Sequence, residues 1–102
     1  MSVNIDLAFT VTGAADEPQA REIADALGEL MCEESIDGYV SITVGTGEDG
    51  ACLVSGKSRF PLSISGFHRW QPHFEGLFVF TVAEVAAAAR PEISWGYPDE
   101  EY

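Results

Sequence analysis

Gly45-Thr46-Gly47-Glu48-Asp49-Gly50 has the GxGxxG spacing that brings backbone amides against a pyrophosphate in dinucleotide sites. That chemistry needs a helix directly after the loop, because the helix N-terminus holds the anion. Here the next residues, Ala51 to Ser55, read as a strand, and Glu48 and Asp49 would repel phosphate. The segment is read as a glycine-rich hairpin loop. Ala51 to Ser58 (ACLVSGKS) fits a relaxed phosphate-loop pattern with alanine in first place. Cys52-Leu53-Val54 would then form an open loop of inward-pointing amides, yet they too read as strand. No helix follows Ser58, since Phe60-Pro61-Leu62 is strand-like. Gly56-Lys57 is accordingly read as a hairpin turn.

His68, His73 and Glu75 are the cluster with metal-ligand chemistry. Histidines five residues apart do not share a helix face, and a metal needs several ligands in fixed geometry. They are read as surface or interface histidines, and neither a metal nor a cofactor is expected. Cys32 and Cys52 form no CxxC motif and fall on apolar positions. There a thiol is expected to be buried, reduced and inert, which fits the cytoplasm. Carboxylates are plentiful, but the sequence marks none as a general acid. No Ser-His-Asp or Cys-His arrangement can be built either. The residues point to binding rather than catalysis.

Charge limits what is bound. Seventeen Asp and Glu face five Lys and Arg, a formal net charge of -12. That field repels phosphate backbones and anionic lipid heads, so direct nucleic-acid binding and docking on an anionic membrane are not expected. A basic protein surface is the complementary partner. The acids are also unevenly placed. Glu22, Asp25, Glu29 and Glu33 recur on one side of a helical segment. Glu48 and Asp49 stand at a loop tip, and Asp99, Glu100 and Glu101 close the chain beside Trp95 and Tyr97. Aromatic anchors in an acidic field are what a binder of a basic surface presents. These are the candidate partner-binding residues. A second candidate joins Phe67, Trp70 and Phe74 to His68 and His73, either as core aromatics or as a pocket.

The elements that must position these groups follow from periodicity. Val3, Ile5, Leu7, Phe9 and Val11 alternate with smaller or polar residues, giving a strand with one buried face that ends at Gly13. Asp16 is a helix N-cap, Pro18 suits the first turn, and Gln19 completes a capping box. Ala20, Ile23, Ala24, Leu27, Leu30 and Met31 then mark one face of a helix running to about Glu34. Glu17 and Arg21 form a favourable i,i+4 pair. Glu33 and Glu34 sit where the macrodipole disfavours acids, a local cost that implies some use. Strands are expected at Tyr39 to Val44, Ala51 to Ser55 and Arg59 to Ser65, the last with Phe60, Leu62 and Ile64 inward. Pro61 puts that strand at an edge or in a bulge.

Pro72 at a first helical position predicts a second helix from about Pro72 to Ala89, stopped by Arg90-Pro91. Leu77 to Val82 is also aromatic and β-branched, so a short strand and a short helix form the alternative. As one helix it is apolar all round, with Val79, Phe80 and Ala83 opposite the main stripe, and so is buried on several sides or covered by a partner. Ile93 to Tyr97 is a last strand.

The order β-α-β-β-β-α-β implies an α+β two-layer sandwich, a mostly antiparallel sheet with two helices, ferredoxin-like in the broad sense. Residues 1–97 form a single domain and 98–102 an acidic C-terminal tail. Met1 to Leu7 has no basic stretch of the kind that opens a signal peptide, and the apolar run Gly76 to Ala89 is too short to span a membrane and contains Glu84. The fold hosts many activities and does not decide function. The expectation is an acidic protein-binding module, an inhibitor or an immunity or antitoxin-type protein. The alternative is a small dimeric ligand-binding protein or enzyme with a pocket near Trp70, His68 and His73. A homodimer is compatible with either.

Overall fold

Alternation along the first segment produces β1 (Ser2–Ala14), with Ile5, Leu7, Phe9 and Val11 buried on one face. The computed structural model describes residues 2–47 and 50–96. After β1 come α1 (Glu17–Glu33), β2 (Val40–Thr46), β3 (Cys52–Ser58), β4 (Leu62–Ser65), α2 (Phe67–Val85) and β5 (Arg90–Gly96). This is the expected element order.

β1 is the spine of the sheet. β3 pairs along one edge of it and β5 along the other, with β2 outside β3, and every pairing is antiparallel. Both helices join the buried residues of the sheet in one core, giving the expected two-layer α+β arrangement.

The Gly56-Lys57 turn is not observed. Both residues lie inside β3, and Gly56 faces Phe9 across the ladder. A side chain at Gly56 would enter the Phe9 ring, so glycine is there to make room and not to turn the chain. One irregularity in the β1–β3 ladder falls between Val11 and Ala14, and another separates β3 from β4. Ala8 faces Lys57, whereas Ile5 faces Leu62, so β1 advances three residues while the other strand advances five. The surplus forms a bulge at Arg59 to Pro61, where a missing proline donor does no harm. Where β3 leaves the ladder, the Leu7 N–H donates instead to the buried Ser58 hydroxyl at 3.0 Å. The bulge also overturns the expectation for Phe60. Leu62 is buried, but Phe60 is exposed and meets Tyr39 edge to face.

α1 starts as expected. The Asp16 carboxylate accepts from the Gln19 N–H at 2.9 Å, and the Gln19 side chain accepts from the Ala15 N–H at 2.7 Å. Arg21 pairs with Glu17 at 2.7 Å. Ala20, Ile23, Leu27, Leu30 and Met31 are buried. Cys32, expected in the core, is exposed instead, because it falls outside this stripe.

α2 is one continuous helix, but it starts five residues before Pro72. Gly66, at φ 68°, turns the chain into it without a side-chain cap. Pro72 therefore lies inside the helix and not at its first position. It removes only the donor that would have reached the His68 carbonyl, one turn from the start. The helix ends at Val85, and Ala86 to Ala89 turn towards β5. β5 begins at Arg90, earlier than expected, and Tyr97 and the tail lie outside the described residues.

Candidate functional site: an acidic and apolar groove between the helices

The buried stripe of α1 fixes where its acids point. Glu22, Asp25, Glu29 and Glu33 are spaced by three, four and four residues and are all exposed. Among the described residues no ion pair neutralises any of them; Arg21 pairs with Glu17, and the His73 imidazole lies near Glu34. Like charges one turn apart repel, so this stripe carries a small local penalty.

α2 packs beside α1 and contributes what the sequence reading left out. Phe74, Phe78 and Val82 anchor it in the core. The same phase turns Val79 and Phe80 to solvent, 50% and 61% exposed. Glu84, one turn after Phe80, falls next to the α1 acids. A groove of about 340 Å³ results, lined by the apolar Leu30, Leu77, Phe80 and Val85 and by the acidic Glu29, Glu33 and Glu84. Carboxylates beside an exposed aromatic ring suit a cation on an aliphatic stem. Such a stem would pack on the apolar side chains while its charge met a carboxylate or the ring.

The other predicted residues fall elsewhere. Trp95 is turned into an aromatic cluster against Phe67 at 5.4 Å, Trp70 at 5.8 Å and Phe74 at 5.9 Å. Its indole N–H donates to Glu75 at 2.9 Å, so Trp95 does not line the groove. Glu48, Asp49, Tyr97, Asp99, Glu100 and Glu101 lie outside the described residues.

Near Trp70, His68 and His73 the indole is half-buried and both histidines are exposed. Trp70 stacks on Phe74 at 4.7 Å and 20° and donates its indole N–H to Glu34 at 2.8 Å. His73 Nε2 lies 3.9 Å from the same carboxylate, and His68 is exposed. Glu34 thus has a use despite the dipole: it accepts from an indole that would otherwise be half-buried without a partner. Among the described residues no three His, Cys, Asp or Glu converge as metal ligands.

The sequence marks Glu29 and Glu33 as candidates and Val79 and Phe80 as an apolar side in need of cover, but nothing in it joins Glu84 to them.

No family model matches the chain, and no curated protein matches it in sequence. Solved structures do match in shape. The designed protein Foldit4 superposes with a TM-score of 0.65 at 12% identity, over 90% of this chain and 94% of its own. A dimeric ferredoxin-like protein from an uncultured marine organism gives 0.61 at 12% identity, over 97% of this chain and 99% of its own. A dinuclear metal-binding peptidase of the M20 family from Bacillus subtilis gives 0.56 at 14% identity. That match covers 95% of this chain but 26% of the peptidase, so the chain spans about a quarter of that protein. At such identities the likeness is one of fold: the chain has a ferredoxin-like α+β fold.

Proposed function

We propose that this chain is an acidic protein-binding module, of the inhibitor or immunity and antitoxin kind, that covers a basic surface of a partner protein. The observation that carries the reading is the groove lined by Glu29 and Glu33 of α1 and by Glu84 and the exposed Phe80 of α2. An apolar centre with a charged rim is the anatomy of a protein interface, and its charge selects a partner rich in Arg or Lys. The net charge of -12 supports the same reading, because it steers a basic partner from a distance. Among the described residues no helix is long and apolar enough to cross a membrane.

The test compares capture of basic proteins by wild type, Glu29→Lys/Glu33→Lys and Phe80→Ser. Wild type is expected to retain a basic protein at about 50 mM salt and release it several-fold faster at about 300 mM, as screening shortens the Debye length. Both variants are expected to lose it. Equal retention by all three would remove the groove from the function.

A further inference from the structure

The sheet has two faces, and the helices cover one. We propose that the uncovered face, opposite the groove, binds a second copy of this chain in a weak two-fold dimer.

The registers define this face row by row. One row across the sheet is Ser41, Lys57, Ala8 and Ser94, and the next is Thr43, Ser55, Thr10 and Glu92. The side chains are short apart from the two charged ones, so another flat surface can approach the backbone closely. They leave a trough of about 400 Å³ across β2, β3 and β1. Thr43 and Ser55 already hydrogen-bond to each other at 3.2 Å, which spares them a partner across the interface.

Charge decides the occupant. Among the described residues, the paired positions of this face carry two cations, Lys57 and Arg90, and two anions, Asp6 and Glu92, all exposed. It is balanced in a chain of net charge -12. The α1 stripe and the groove would repel a second copy, whereas this face would not, and its two signs allow self-complementary pairing about a two-fold axis. Four strands about 4.8 Å apart and seven residues at about 3.3 Å give a patch of roughly 19 by 23 Å. That is smaller than the ~800 Å² per partner of a standard interface, which fits a weak, transient dimer.

Sedimentation equilibrium of the whole chain from about 5 to 500 µM tests this. Wild type is expected to pass from monomer to dimer across the range; monomer throughout would overturn the proposal. Lys57→Glu/Arg90→Glu and Asp6→Lys/Glu92→Lys alter exposed positions, and circular dichroism checks that both stay folded. Each variant alone is expected to dimerise at least tenfold more weakly than wild type, and an equimolar mixture is expected to restore the dimer. Wild-type behaviour of both variants, or a mixture that stays monomeric, would overturn it. Phe80→Asp serves as the control on the helical face: it is expected to leave the dimer intact, and its loss would place the contact at the groove instead.

Discussion

Replacing Gly56 by alanine adds a methyl group where the Phe9 ring already lies; even ring atom Cε1, the farthest of those met, would be 2.8 Å from the new carbon. Carbon atoms pack at about 3.5–4.0 Å, so ring or strand has to move. The ring has little room. Phe9 is 3% exposed and meets Phe78 edge to face at 4.9 Å. Overpacking a filled core costs about 1–3 kcal/mol. The backbone adds no penalty, because Gly56 is not among the glycines with positive φ. Urea unfolding is therefore expected to show Gly56→Ala about 2–3 kcal/mol less stable, with Tm lower by about 10 °C or more. The companion is Phe9→Leu, which alone should cost about 1–2 kcal/mol for the lost ring. In the double variant the methyl group enters space the ring has left, so the two effects should fall short of additivity by about 1 kcal/mol or more. Loss of under about 0.5 kcal/mol in Gly56→Ala, or strict additivity, would refute the packing account. Either result would return Gly56 to the role its position before Lys57-Ser58 first suggests, a loop residue.

Three further outcomes are expected. Asp16→Ala removes the α1 cap and should cost about 1 kcal/mol in chemical denaturation. Glu34→Ala leaves the Trp70 indole without its acceptor and should cost about 1–2 kcal/mol, whereas Glu34→Gln keeps an acceptor and should recover most of that. Tryptophan fluorescence during unfolding reads both. Phe78→Ala and Phe80→Asp lie two residues apart on α2 but differ in burial; the first should cost about 3–5 kcal/mol and the second stay within about 0.5 kcal/mol by calorimetry.

Much of this was legible because it is periodic. β1 and α1 show their buried faces as alternation and as an i, i+3, i+4 stripe, and Asp16 announces the start of α1 by local chemistry. α2 was harder to place. Pro72 is a helix-start signal, but Gly66 reaches a left-handed conformation that needs no side-chain cap, so the true start left no such mark. The aromatic segment of α2 was also ambiguous in isolation. Phe74 and Phe78 settle it as helix by packing with Phe9 and Trp95 in the shared core.

The sequence by itself determined the element order, the buried face of each long element and the acidic character of the exposed face of α1. These depend on residue type and on spacing within one element. Only the tertiary structure decided which groups meet. Glu84 joins Glu29 and Glu33 because two helices lie side by side, Glu34 caps an indole thirty-six residues away, and Gly56 yields to a ring from another strand. Each contact depends on distance between segments far apart in the chain, and no local pattern encodes that distance.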